Sequence, residues 1–180
     1  MSSLLYFDCF SGIAGDMTAA ALLSLTGAEK ELRKALKGLP LGGYRLAVER
    51  GSSAGVAGTR VHVRVASGKG RARHLPDILS LLRASDLPPE TASRAARCFE
   101  RLGESEATVH GTTPDKVHFH EVGAVDAIVD VVSGCFLFEL LGAPRAFCSA
   151  LPGGSGEARD PGPSGRDGSR RSRPLRRHTA

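Results

Sequence analysis

Lys116-Val117-His118-Phe119-His120-Glu121-Val122-Gly123-Ala124-Val125-Asp126 sets two alternating histidines and two carboxylates into a run that otherwise has core composition. Read as an extended segment, it puts His118 and His120 on one face about 7 Å apart, with Val117 and Phe119 on the other. Beyond Gly123 the apolar residues Val125, Ile128, Val129 and Val132 recur at helical spacing, and Asp126 and Asp130 fall one turn apart on a shared face. The segment therefore predicts strand, sharp turn and helix, with polar groups gathered at the junction. Two imidazoles so spaced suit one divalent ion at roughly 2.1 Å from each ring nitrogen. They equally suit structural histidines held by hydrogen bonds, because a short His-x-His motif has many non-metal uses.

Working outward, Leu4-Leu5-Tyr6-Phe7 reads as a buried strand, and Ser11 to Asp16 turns into a helix carried by Met17 through Leu25 and ended by Gly27. Glu29 to Leu39 is a second, amphipathic helix, stopped by Pro40 and Gly42-Gly43. Tyr44 to Val48 and Thr59 to Val65 alternate apolar and polar residues around a Gly/Ser-rich connection, as antiparallel strands do. A mobile glycine-rich basic loop, Ser67 to Arg73, leads into a helix from His74 to Leu82. Pro88-Pro89 opens a helix to about Ala107 with Ala95, Ala96, Phe99 and Leu102 inward, and Ala146 to Leu151 is a last strand. Interleaved strands and helices make the class α/β or α+β: a single domain over 1–152 built on a mixed sheet with flanking helices.

From Gly153 the texture changes. Residues 153–180 hold six glycines, three prolines, seven arginines and one large apolar side chain, Leu175. That composition predicts a disordered tail, which reads as an RNA-binding arm, a plain appendage or a product of the wrong reading frame. No aromatic residue interleaves with the arginines to stack on bases, so nucleic acid is the weakest of the three readings. The net charge of +5 sits mostly in this tail, which leaves 1–152 close to neutral and without an electrostatic reason to seek phosphate backbones. No apolar run reaches the roughly 18 residues a membrane helix needs, and a basic region followed by a long apolar stretch is missing from the N-terminus, so a soluble cytoplasmic protein is expected. Cys9, Cys98, Cys135 and Cys148 are scattered, which predicts reduced and mostly buried thiols.

A second constellation, Asp8-Cys9-Phe10-Ser11-Gly12-Ile13-Ala14-Gly15-Asp16-Met17, lies between strand and helix, where open α/β sheets bind ligands. Ser11, Gly12 and Gly15 would let backbone N–H groups approach an anion, while Asp8 and Asp16 suit a cation or a hydroxyl. A tight structural turn explains the same residues. It is neither a Walker A loop nor a full dinucleotide fingerprint. Cys9 has no base near it in sequence and reads as an inert buried thiol. His74, at a helix entrance, is a further candidate ligand; His62 reads as an exposed strand residue, and His110 sits in a turn.

Three stretches taken in order, Tyr6 to Met17, Arg73-His74-Leu75-Pro76-Asp77-Ile78 and Val117 to Asp130, resemble the LarC family, the nickel-insertion proteins of nickel-pincer cofactor maturation associated with lactate racemase. The resemblance spans most of 3–156 and covers the N-terminal half of the family. It implies a nickel chelatase or cyclometallase of the lyase class, which uses CTP with Mg2+ or Mn2+ to place Ni2+ into pyridinium-3,5-bisthiocarboxylic acid mononucleotide. It implies a metal site at His118, His120 and Glu121, joined by Asp126 and His74, with Asp8, Ser11, Gly12, Gly15 and Asp16 as cofactor-binding residues. Two departures qualify it: relatives often carry a histidine-rich run where this chain has Gly68 to Arg73, and the resemblance fades after Gly156. In some members a frameshift joins two halves, which makes the tail an unshifted product or a frame error, and makes a C-terminal LarC half, or a full-length family protein, a partner. A homo-oligomer is compatible with this reading. The alternatives are a non-catalytic nickel carrier and a metal-dependent phosphohydrolase using Asp8 and Asp16.

Overall fold

Val125–Leu140 forms helix α5, whose sequence VDAIVDVVSGCFLFEL is apolar almost all round. Such a helix belongs inside a protein. Ile128, Val129, Val132 and Leu137 are fully buried, and Val125, Cys135 and Phe136 nearly so. The computed structural model describes residues 4–53, 55–66, 73–119 and 124–152. Around α5 the chain runs β1 (Leu4–Phe7), α1 (Gly15–Thr26), α2 (Glu29–Leu36), β2 (Tyr44–Ser53), β3 (Val56–Val65), β4 (Arg73–His74), α3 (Leu75–Arg83), α4 (Pro89–His110), a 3-10 turn (Pro114–Lys116), β5 (His118–Phe119), then α5 and β6 (Arg145–Cys148). Helices α1, α2 and α4 and strand β3 all contact α5, and α3 joins through α4.

The class is α/β, as the interleaving predicts. The strands pair in twos: β1 with β6 in parallel, β2 with β3 antiparallel, and β4 with β5 antiparallel. This is a division of the expected mixed sheet into three ribbons among the described residues. The connection from β2 to β3 is tight, with Gly55 at φ 80, so both strands extend further than alternation alone marks them. Helix α1 ends at Gly27, whose left-handed backbone (φ 65) lets its N–H reach the Leu23 carbonyl at 2.8 Å.

Several expectations need correction. β1 is not a buried strand: Leu5 and Phe7 pack on the core, while Leu4 and Tyr6 are 64% and 58% exposed. The predicted inner face of α4 holds at Ala95 and Phe99, which are buried, and at Ala96, which packs on the core, but not at Leu102, which is 36% exposed; Thr91, Gly103 and Ala107 complete the buried stripe. α2 stops at Leu36, three residues early, as the chain tightens through Lys37 and Gly38. Of the cysteines, all free, only Cys9 and Cys135 are buried; Cys98 and Cys148 are exposed. His110 closes α4 and meets Glu106 at 3.2 Å. The glycine-rich loop 67–72 and the tail 153–180 lie outside the described residues.

At the seam of α4 and α5, Arg94 pairs with Glu139 at 2.5 Å and lies 5.0 Å from the Phe138 ring centroid. One turn on, the Cys135 thiol hydrogen-bonds to the Cys98 sulfur, and this contact, helped by Arg94 and Arg97 against partial burial, pulls Cys98 down to about 6. The same contact together with burial pushes Cys135 up.

Two predictions come from this packing. Ile128→Ala should cost about 2–5 kcal/mol in denaturant unfolding, against no more than about 0.5 kcal/mol for Val109→Ala on the exposed side of α4. Iodoacetamide should alkylate Cys98 with a rate midpoint near pH 6; Cys135→Ala removes the donor and should move that midpoint upward, as mass spectrometry of the labelled peptide would show.

Candidate metal centre

Two places gather the residues singled out from sequence. The first is the β4–β5 ladder, where Arg73 is paired with Phe119 and His74 with His118. Directly opposed residues in an antiparallel pair have Cα atoms about 4.5–5.5 Å apart, so two of the candidate ligands, 44 positions apart in the chain, occupy facing register positions. The ladder is short, yet it is held from three sides. Phe119 and Val117 are buried, and Leu75, which follows His74, is buried beside them. Gly103 of α4 permits the approach: a Cβ there would lie 2.8 Å from Leu75 Cδ2 and 3.7 Å from Phe119 Cζ.

His74 also starts α3. The Asp77 carboxylate accepts from the His74 backbone N–H at 3.1 Å, and the imidazole turns back on the Asp77 backbone N–H, which makes a reciprocal capping box with Pro76 in the first turn. This cap explains why a histidine stands at the helix entrance and holds its ring toward the start of α3. His120 and Glu121 lie outside the described residues, as does Gly123 before α5.

The second place is the meeting of the N-terminal ends of α1 and α5. The chain leaves β1 through a turn in which Gly12 N–H donates to the Cys9 carbonyl at 2.9 Å, with Gly12 at φ 89. Ser149, just beyond β6, accepts from Cys9 N–H through its hydroxyl at 2.8 Å and donates its own N–H to the Phe7 carbonyl at 2.9 Å. Asp8 and Ser11 stay exposed on this turn. Gly15 then opens α1 directly against α5: a Cβ on it would lie 2.9 Å from Asp130 Cβ. Asp16, in the first turn, accepts from Met17 N–H at 2.7 Å, and Asp126, in the first turn of α5, accepts from Ala127 N–H at 3.0 Å.

Three carboxylates, Asp16, Asp126 and Asp130, are thereby crowded together. Burial first, then the charges of Asp16 and Asp126, push Asp130 up to about 7, and its buried Oδ1 has no hydrogen-bond partner among the described residues. Such surroundings disfavour the anion that the glycines of this loop invite, and favour a cation or a proton. Asp130 is a site residue that the sequence signals only through its one-turn spacing from Asp126. His62 is a second residue that sequence set aside: with Asp16, Arg60 and Met17 it lines a surface hollow of about 170 Å³ between α1 and β3. Among the described residues no three His, Cys, Asp or Glu side chains converge in a geometry that holds a metal ion. The described part of the centre is therefore a paired histidine ladder and a separate acidic junction, linked by the segment 120–123.

The sequence profile of nickel insertion proteins matches residues 5–160. The chain belongs to the nickel insertion protein family. Relatives bearing the name nickel insertion protein include one from Citrifermentans bemidjiense, 46% identical over 151 residues, which are 84% of this chain and 39% of the relative. Another, from Roseiflexus castenholzii, is 46% identical over 159 residues, 88% of this chain and 40% of the relative. A pyridinium-3,5-bisthiocarboxylic acid mononucleotide nickel insertion protein from Staphylococcus epidermidis is 38% identical over 157 residues, 87% of this chain and 40% of the relative. The chain thus spans about two-fifths of the length of these family members. No solved structure matches it. The family match covers the β1–α1 loop, the β4–β5 ladder and α5 together, and it runs past the change of texture at Gly153. Among the described residues no helix is long and apolar enough to cross a membrane.

The acidic junction has a signed pH signature. An unfolded aspartate loses its proton near pH 3.9, whereas folded Asp130 keeps it until about pH 7. Between these values the native state holds the extra proton, so stability falls as pH rises through the window. Asp130→Asn removes this dependence: the melting temperature of the wild type should fall from pH 4.5 to pH 8 more steeply than that of the variant. Parallel curves would remove Asp130 from the cluster.

Proposed function

We propose that this chain is the metal-handling part of a nickel insertion protein, and that it presents Ni2+ for insertion into pyridinium-3,5-bisthiocarboxylic acid mononucleotide, the precursor of the nickel-pincer cofactor of lactate racemase-type enzymes. The observation that carries this reading is the β4–β5 register, which sets His74 opposite His118 in a chain of this family. In the proposed site His118, His120 and Glu121 are the principal ligands, with His74 and Asp126 at its margin. Imidazole and carboxylate donors suit a divalent ion that must be handed on, where a closed set of thiolates would retain it. Nickel is here the cargo of the reaction. Protons compete for the imidazole lone pairs, so affinity falls as pH drops below about 6.5.

A CTP-dependent, lyase-type cyclometallation is the activity proposed for the whole protein. The described residues do not fit a triphosphate: the loop from Ser11 to Gly15, whose N–H groups would cradle it, ends against Asp16 and Asp130. CTP and its Mg2+ or Mn2+ are accordingly assigned to the part of the family's length that lies beyond the match. On this reading 1–152 is the N-terminal domain, 153–180 is a Gly/Arg-rich tail whose first eight residues still match the family profile, and the protein works in the cytoplasm with a C-terminal half or a full-length relative. The alternative reading is a carrier, in which the matched two-fifths of the family's length loads nickel and the rest completes the reaction.

Isothermal titration with Ni2+ at pH 7.5 should show close to one ion per chain, and His118→Ala combined with His120→Ala should abolish it. Binding that survives the double substitution would sink the site. Product formation from nickel, CTP, Mg2+ and the precursor, followed by mass spectrometry, separates a catalyst from a carrier.

A further inference from the structure

The ribbon formed by β1 and β6 is out of keeping with its kind. Parallel strands occur almost only with both faces covered, whereas an antiparallel pair such as β2–β3 tolerates water on one side. In β1–β6 the covered part is Leu5 and Phe7 of β1, packed on the core, whereas all four residues of β6 are exposed. The face opposite Leu5 and Phe7 is open. Leu4 and Tyr6 are more than half exposed and Phe147 is 45% exposed. The register sets Tyr6 opposite Phe147 and Leu4 opposite Arg145, whose guanidinium carbon lies 5.5 Å from the Phe147 ring centroid. Among the described residues the sheet has two strands, which leaves one edge of each strand as a ready template for a further strand.

We propose that the β1–β6 ribbon is the seat on which the remaining part of a nickel insertion protein adds a strand and covers Tyr6 and Phe147. This rests on the reading of the chain as one part of a two-part protein. The occupant is specified by where the chain goes. β6 ends at Cys148, and Leu151, three residues on, is exposed. The curated relatives extend to about two and a half times the matched length. A continuing chain starts at the open sheet and meets it at the high effective concentration of a tether. Strand addition supplies main-chain hydrogen bonds, and the exposed aromatic pair supplies the apolar contact that fixes which strand fits. Because Ser149 ties the end of β6 to Cys9 and Phe7, docking here would also stiffen the loop that leads to Gly15 and the acidic junction.

The test is hydrogen exchange followed by mass spectrometry on two intact proteins, this 180-residue chain and the full-length Citrifermentans bemidjiense relative. Amides of the strands aligned with β1 and β6 should exchange at least tenfold more slowly in the full-length protein, while those aligned with β2 and β3 change less than threefold. Equal rates at β1 and β6 in the two proteins would overturn the proposal. So would a concentration-dependent dimer of this chain that Tyr6→Glu dissolves, since the occupant would then be a second copy. A parallel nickel titration keeps the two ideas apart: stoichiometric binding with equal exchange rates refutes the seat and leaves the nickel reading standing, and slowed exchange without nickel binding does the reverse.

Discussion

Burial of α5 is the constraint on which the other elements depend. A helix with apolar groups around nearly its whole circumference is stable only when surrounded, and here α1, α2, α4 and β3 surround it. The consequence reaches the chemistry directly. Because α1 must press against α5 closely enough that Gly15 has no room for a side chain, the first turns of the two helices meet, and the carboxylates each carries for its own N-terminus are forced into one place. Asp16 and Asp126 are each unremarkable as first-turn acids. Burial, with the charges of these two neighbours added, raises the proton affinity of Asp130.

The histidine ladder depends on the same packing by another route. Two residues per strand is far too little for a stable ribbon, and the pairing of β4 with β5 persists because Phe119 and Leu75 are sunk against α4 at Gly103. Leu75 begins α3, so the capping box of His74 and Asp77 and the ladder position of His74 are one arrangement seen from two sides. A small residue on α4 thus sets the separation of two histidine backbones. This is why the ladder belongs to the folded domain, and why a metal site built on it would be sensitive to substitutions that touch neither histidine.

Much of this was legible in the residues. The strand at His118–Phe119, the helix from Val125 and the stop at Gly27 appear where periodicity and punctuation put them, as does the antiparallel pairing of the two alternating segments. What escaped did so for definite reasons. The open face of β1 was unreadable because an apolar tetrapeptide looks the same whether buried on both faces or waiting for a partner. The exposure of Leu102 on α4 and the split of the cysteines into two buried and two exposed depend on which surfaces the packed elements cover.

By itself the sequence determined the family, the order of elements and the residue types capable of holding a divalent ion, because these depend on local periodicity and on long contiguous motifs. Only the tertiary structure decided that His74 faces His118, that Asp130 joins Asp16 and Asp126, and that β1 lies beside β6 with one side bare. The physical reason is common to all three. Each joins residues dozens of positions apart, and such distances are closed by the burial of α5 and the close approaches at Gly15 and Gly103, which no local pattern records.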